Sequence, residues 1–305
     1  MCIRDRLEGN YVNDRRLLTQ RSLLPRQTLQ LRQPDDLAPA PVYLAAIRRR
    51  GVLRVGLQHH SLPWAYRNNS GELVGFDVDL IKLLARSLDL QRIEVVEAPL
   101  PELERLLQSG RLDLAAGGIL NTPQRAASRA MSRGYQQVHL ALVVRDEQLH
   151  QLQNLATTQL RRPLRLAVVD PSLIGSNLQD QIALHLGSSE RPQPLALTRI
   201  GNPEDFFSPS GRRFDALLTS AEEGSAWAVL HPRTTMLTSF GPRLPEQMVL
   251  LIGGSDDSLQ SFIDTWLKRK QEQGTLEWLY RHWVLVLPVP PQPDGLDSVA
   301  PPRSS

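Results

Sequence analysis

The residues best suited to hold a charged small molecule are Thr122, Pro123 and Arg125. A threonine followed by proline reads as a helix start: the hydroxyl accepts an otherwise unpaired backbone N–H, and proline needs no N–H at the first helical position. Arg125 then falls in the first turn. Free amide hydrogens there attract an anion, and a guanidinium fork clasps a carboxylate through two parallel hydrogen bonds. The same spacing also describes a surface arginine on an ordinary capped helix, and spacing alone does not separate the two. Gly117 and Gly118 come just before this segment. Glycine lets a backbone approach a ligand closely, or simply turns a strand into a loop.

Other chemistries find little support. The seven histidines show no HExxH spacing, and His59 and His60, being adjacent, would diverge on a strand. The single cysteine, Cys2, excludes an internal disulfide and a cysteine-based metal site. Neither a GxSxG elbow nor a phosphate-binding glycine loop is present. Asp77 and Asp79 fit the start of a helix better than acid–base work. The expectation is a binding protein with no cofactor, no metal and no activity as an enzyme.

The elements that must position these residues are an alternation of strands and helices. Val52–Leu57 is a short apolar run after Gly51, and 76–90 places Leu80, Ile81, Leu84 and Leu88 on one helical face. Strands at 93–98 and 112–116 enclose a short helix that Pro101 opens and Gly110 stops. A second series follows 138–144, with strands at 164–169, 195–200 and 214–219 and a return strand at 247–252. A long helix at about 256–273 and a shorter one carrying Trp278 and Trp283 close the chain, both tryptophans reading as core. This order argues for an α/β protein with helix-covered, mostly parallel sheets in two lobes. The expected division is a linker over 1–42, one lobe over 43–144 plus 246–287, the other over 145–245, and a disordered proline-rich tail over 288–305.

Composition bounds the partners. A net charge of +3 on 305 residues, with no basic run interleaved with aromatics, gives no footprint for nucleic acid. No run approaches the roughly 18 apolar residues of a membrane-spanning helix. The opening MCIRDRLEGNYVNDRR lacks the apolar core of a secretion signal, so the natural chain is expected to begin further upstream.

Three stretches in order, RRGVLRVGL with SGELVGFDVDLIKLLARSL, then LERLLQSGRLDLAAGGILNTPQR, then WLKRKQEQGTLEWLYRHW, resemble the bacterial extracellular solute-binding proteins of family 3. The resemblance implies a type II periplasmic-binding clamshell acting outside the cytoplasmic membrane. Its cleft would hold a small organic acid or amino-acid-like ligand, destined for a membrane transporter that is separate or fused in cis, with the binding protein itself a monomer. It also implies that Arg125 of the TPxR pattern binds a carboxylate, with Thr122, Gly117, Gly118 and Leu120 around it, and that Trp64 either lines the cleft or packs under the loop. From the second lobe Ser172, Ser220 and Glu222 would approach.

Departures from the family pattern are specific. Leu120 stands where a hydroxyl is usual. Ser61 and Leu100 stand where aromatics usually sandwich the ligand. Ser220 stands where an acid usually accepts the ligand's amino group, with Glu222 and Glu223 following, and the second lobe's loop reads Asp170-Pro171-Ser172. With no secure acid at Ser220, the expected preference is for small organic acids or modified amino acids over basic amino acids. Alternative expectations on the same fold are a dehydratase for prephenate-like acids and a sensory ligand-binding module.

Overall fold

The computed structural model describes residues 11–290 apart from 13, 25–27, 129, 155–159, 161, 175, 187–191 and 239–244. Residues 1–10 and the tail from 291, expected to be unstructured, lie outside the described residues.

In chain order the first lobe contains β1 (Thr28–Leu31), α1 (Leu44–Arg50), β2 (Val52–Gln58), β3 (Tyr66–Arg67), β4 (Leu73–Val74), α2 (Phe76–Ser87), β5 (Arg92–Ala98), α3 (Leu100–Gln108), β6 (Leu114–Ala116), α4 (Pro123–Ala126) and β7 (Ala130–Met131). Six of the seven residues of β2 are buried, as expected of a strand covered by helices on both faces. Its start is fixed by Gly51, which ends α1 in the left-handed conformation at φ 69°. Asp113 then pins the lower end of the sheet: its buried carboxylate accepts from the Arg54 amide at 2.8 Å and pairs with Arg50. A close approach sets the entry of α2. Gly75 has φ 137°, and a Cβ there would meet the Trp64 carbonyl oxygen at 2.2 Å.

The second series runs β8 (Gln136–Arg145), α5 (Asp146–Gln153), β9 (Leu164–Val168), α6 (Ser176–Leu186), β10 (Leu195–Arg199), α7 (Glu204–Phe207), β11 (Ala216–Ser220), α8 (Ala221–Leu230), β12 (Thr234–Leu237), β13 (Pro245–Met248), β14 (Leu251–Ile252), α9 (Asp257–Glu272) and α10 (Thr275–Trp283). Two six-stranded assemblies result. One has the order β1-β5-β2-β6-β14-β7; the other has β10-β9-β11-β8-β12, with β13 also paired to β8. Strands β1, β5, β2 and β6 run parallel, as do β10, β9 and β11, while β8 and β14 are antiparallel to their neighbours. The fold is therefore the two-lobed α/β clamshell. Its crossover strands pair with each other: β13 lies antiparallel on the first half of β8, from Pro245 opposite His139 to Met248 opposite Gln136. The second half of β8 belongs to the sheet of the second lobe, so one continuous strand serves both as crossover and as core. Trp278 and Trp283 are buried, as their helical spacing implied.

The expectation of a solvated linker over 1–42 fails for the described part. β1 adds a parallel edge strand beside β5, and Leu17, Leu24 and Leu37 are buried. The segment is anchored to the first lobe by Tyr66, whose hydroxyl donates to the Leu17 carbonyl at 2.7 Å. It also touches the second lobe, where the Val12 amide donates to the Ser225 hydroxyl at 3.1 Å and Arg15 Nε to the Val229 carbonyl at 3.2 Å. Sparse leucines among arginines and glutamines hid this packing. Nor does Asp79 cap α2: its buried carboxylate accepts from the Leu23 amide at 3.0 Å and from Trp283 Nε1 at 3.1 Å, tying the segment to the core. At the other end, Trp278 Nε1 donates to the Pro290 carbonyl at 2.9 Å, so the tail is packed at least to that residue. Leu17→Ala should lower unfolding stability by about 2–4 kcal/mol, the cost of a buried leucine truncated to a cavity. Urea unfolding followed by circular dichroism measures it. A change under about 0.5 kcal/mol, usual for an exposed site, would return the segment to linker status.

Candidate functional site

The clearest seam between the lobes lies at the C-terminal ends of the parallel strands, where open α/β sheets place ligands. Gln58 ends β2, Gly118 follows β6, Val169 and Asp170 follow β9, and Leu218, Thr219 and Ser220 end β11. With Leu120, Leu173 and Glu223 they surround a void of about 30 Å³. That is room for about one water molecule and not for an organic ligand.

The wall from the first lobe is built from the Gly117–Arg125 segment. Asp77, fully buried near the start of α2, accepts the amides of Gly117 and Gly118 on Oδ2, both at 2.8 Å. Its other oxygen accepts the Tyr135 hydroxyl at 2.7 Å. Burial pushes this carboxyl upward from the usual carboxylate range, and the bonds from Gly118, Tyr135 and Gly117 oppose the shift. Asp77 thus pins the turn rather than capping its own helix, whose N-cap is Gly75. The turn fits only glycine at Gly118, where φ is 76° and a Cβ would lie 2.6 Å from Trp64 Cδ1. Thr122 caps α4 as its sequence implied, accepting the Arg125 amide at 3.3 Å.

Arg125 is not a surface residue; it is 3% exposed. Its Nη1 donates to the Leu120 carbonyl at 2.5 Å, its Nε to Glu104 Oε1 on α3 at 3.3 Å, and its Nη2 to Asp170 Oδ1 of the other lobe at 2.9 Å. Asp170 Oδ1 also accepts the Ser172 amide at 2.9 Å and the Ser172 hydroxyl at 2.7 Å. Across the same space stands Glu223, one turn into α8, with the Thr219 hydroxyl donating to its Oε2. Burial pushes the Glu223 carboxyl up to about 7; the Thr219 bond works against the shift and the charge of Asp170 adds to it. The seam therefore holds one guanidinium with two acidic side chains in contact with it, and Glu223 near them, whose carboxyl takes or gives a proton near pH 7. It can bind a carboxylate at Arg125, an ammonium at Glu223, or donate a proton from Glu223.

The structure sorts the residues singled out in the sequence. Arg125, Gly118, Leu120 and Ser220 come together at the seam, and Ser172 lies beside it, its amide and hydroxyl both committed to Asp170. The Gly117 and Gly118 amides, expected to face ligand, are committed to Asp77 instead. Trp64 does not line the cleft. It is 1% exposed and packs edge-on against Phe76 beneath the Gly118 turn. Glu222 is also corrected: it turns to α10, where Tyr280 donates to its Oε1 at 3.3 Å, and burial there pushes its carboxyl up to about 7. Glu223 takes its expected place. The signal was legible, because Ser220-x-x-Glu223 is a capping-box spacing that turns the fourth residue back toward the helix start. The Ser220 hydroxyl indeed accepts the Glu223 amide at 3.2 Å. Glu104 and Gln58 were missed, since nothing local distinguishes them from surface polar residues. Among the described residues no group of three or more His, Cys, Asp or Glu is arranged to hold a metal, and no helix is long and apolar enough to cross a membrane.

Two parallel-sheet lobes hinged by paired crossover strands, with a buried arginine in their seam, define a ligand-binding clamshell of the periplasmic-binding type II class. Residues 53–286 match the bacterial extracellular solute-binding proteins, family 3, and the chain belongs to that family. Among curated proteins it is similar to cyclohexadienyl dehydratase of Pseudomonas aeruginosa, 27% identical over 79% of this chain and 85% of that protein. It is also similar to the glutamate/aspartate import solute-binding protein of Escherichia coli, 31% identical over 33% of this chain and 36% of that one. A third relative, membrane-bound lytic murein transglycosylase F of Ectopseudomonas mendocina, is 26% identical over 79% of this chain, which spans 47% of that protein's length. Of solved structures, an ancestral amino-acid-binding protein described as a precursor of cyclohexadienyl dehydratase superposes with a TM-score of 0.63, at 24% identity, covering 79% of this chain and 98% of that one. An ancestral arginine-binding protein bound to arginine gives 0.61, at 22% identity over 77% and 98%.

Proposed function

We propose that this domain captures a small amino-acid-like solute outside the cytoplasmic membrane and presents it to a membrane transporter, separate or fused in cis. The observation that carries the reading is Arg125, a buried guanidinium in the seam of a family 3 clamshell, bonded to Asp170 and Leu120, which line the same void as Glu223. A carboxylate on Arg125 and an ammonium on Glu223 would mark the two ends of such a ligand. The sequence expectation that organic acids are preferred over basic amino acids loses its motive, because Asp170 and Glu223 supply the acidic half that Ser220 lacks.

A second reading, water elimination from a cyclohexadienyl acid, is favoured by one observation: a carboxyl in the cleft that stays protonated to about pH 7 is a proton donor. The two readings have opposite pH signatures. An ammonium is held by ionised Glu223, so capture of an amino acid should tighten as pH rises from 6 to 8, through the value of about 7. Elimination needs the protonated form, so turnover should fall over the same interval. The test is a calorimetric titration with an amino-acid panel, beside an ultraviolet assay for the aromatised product, for wild type and Glu223→Gln. Capture that tightens with pH in wild type and is flat in the variant supports transport. Turnover without capture would replace that reading by the second.

A further inference from the structure

We propose that Asp170 is the protein's own competitor for Arg125: its carboxylate occupies the guanidinium edge that faces the cleft, latching the lobes until a ligand carboxylate replaces it. The proposal rests on the capture reading, and four observations carry it. The Asp170–Arg125 contact crosses from one lobe to the other at 2.9 Å, with both side chains largely shielded from solvent. Asp170 is held in place for this contact, because its Oδ1 accepts both the amide and the hydroxyl of Ser172. Leu120 and Glu104 take further donors from Nη1 and Nε, so each of the three guanidinium nitrogens already makes a hydrogen bond. The void beside them, about 30 Å³, leaves no space for a second carboxylate while Asp170 stays.

Two consequences follow. Binding is an exchange of one carboxylate for another at the same guanidinium, so the net gain per capture is smaller than the strength of the new ion pair. The latched population also dilutes the competent one: if nine molecules in ten are latched, the apparent affinity is weaker by about tenfold. Ligands that bring both a carboxylate for Arg125 and an ammonium for the displaced Asp170 or for Glu223 are then selected over simple acids, which free Asp170 without giving it a partner.

Asp170→Asn is the informative variant. Its amide oxygen still accepts both Ser172 bonds, so the loop is kept while the negative charge that faces Arg125 is removed. Small-angle scattering of the proteins without added ligand should show a larger radius of gyration for Asp170→Asn than for wild type. Calorimetric titration with L-glutamate and L-arginine should show whichever binds wild type binding the variant about tenfold more tightly. Asp170→Ser is the substitute where the asparagine variant does not fold. A wild type as extended as the variants, or a variant that binds the amino acid more weakly than wild type, overturns the latch and makes Asp170 an ordinary contact. If neither amino acid binds either protein, the choice of these ligands and not the latch is at fault, because the scattering comparison still decides the latter.

Discussion

Arg125→Ala is expected to weaken amino-acid capture by about 30-fold to several thousand-fold, the range of about 2–5 kcal/mol for truncating one partner of a buried charge pair. The guanidinium is 3% exposed and is the cation that meets Glu104 and Asp170 at the seam. With alanine in its place, a ligand carboxylate entering the closed cleft would meet Glu104 and Asp170 without the Arg125 guanidinium between them. The Leu120 carbonyl would also lose its donor. Arg125→Lys should restore only a part, because a single ammonium cannot reach Leu120, Glu104 and Asp170 with the geometry of a planar fork. The helix should still start, since the Thr122 hydroxyl caps the backbone amide of residue 125 and not its side chain. Titration of wild type and both variants with the amino acid that stabilises the wild type most is the measurement. An alanine variant within about threefold of wild type, under about 0.7 kcal/mol, would show that the carboxylate is held elsewhere.

The parts of this molecule that were legible in its sequence are those where one physical rule dominates. Strands covered on both faces announce themselves as apolar runs, as in Val52–Leu57, and amphipathic helices by their spacing, as at Leu80, Ile81 and Leu84. Thr122 and Pro123 specify a helix start locally, so Arg125 could be placed before any tertiary contact was known. The misreadings come from side chains whose role depends on what folds against them. Asp77 and Asp79 look like residues serving a helix start because that is all their neighbours in sequence suggest. Their partners are Gly117, Gly118 and Tyr135 in one case and Leu23 and Trp283 in the other, dozens to hundreds of residues away. Trp64 follows a proline in an otherwise plausible loop, but only the position of Gly118 decides that the ring lies under the turn. Between Glu222 and Glu223 the choice is a rotation of about 100° on one helix. It was settled by which of them faces the strand ends and which faces Tyr280.

The charge inventory of the cleft gains most from the tertiary view. Ser220 takes the position of an expected acid, and read alone it suggests a site for anions. The lobes bring Asp170 and Glu104 onto one arginine and place Glu223 on the void that Asp170 lines, which reverses that balance. The second lobe's loop carries the change: an aspartate there pairs with Arg125 where a loop of uncharged residues would have left the guanidinium for the ligand alone. On the proposed capture reading, specificity is a matter of which ligand can satisfy both Arg125 and the acids around it, rather than of the arginine by itself.

Asp77→Ala should lower the stability of the whole domain by at least about 3 kcal/mol, because it strips three buried donors of their acceptors at once, each worth about 1–3 kcal/mol when left unpaired. The donors are the amides of Gly117 and Gly118 and the hydroxyl of Tyr135, all within 2.8 Å of the carboxylate. Asp77→Asn makes the argument specific. Both glycine amides bond the same oxygen, Oδ2, so an asparagine can keep that oxygen as acceptor and turn its amide nitrogen toward Tyr135. Only the tyrosine hydroxyl then loses its acceptor, a cost of about 1–3 kcal/mol, and removal of a buried charge offsets part of that. The order of stability should be wild type, then Asp77→Asn, then Asp77→Ala. Ligand affinity should follow it, because the Gly117–Gly118 turn forms one wall of the cleft. Urea unfolding of the three proteins gives the first ranking and calorimetric titration the second. If Asp77→Ala unfolds within about 1 kcal/mol of wild type, the turn is held by its own glycines and Trp64, and the carboxylate is not what pins it. If instead Asp77→Asn is as damaging as Asp77→Ala, the negative charge itself matters, and the assignment of both amides to one neutral-compatible oxygen is wrong.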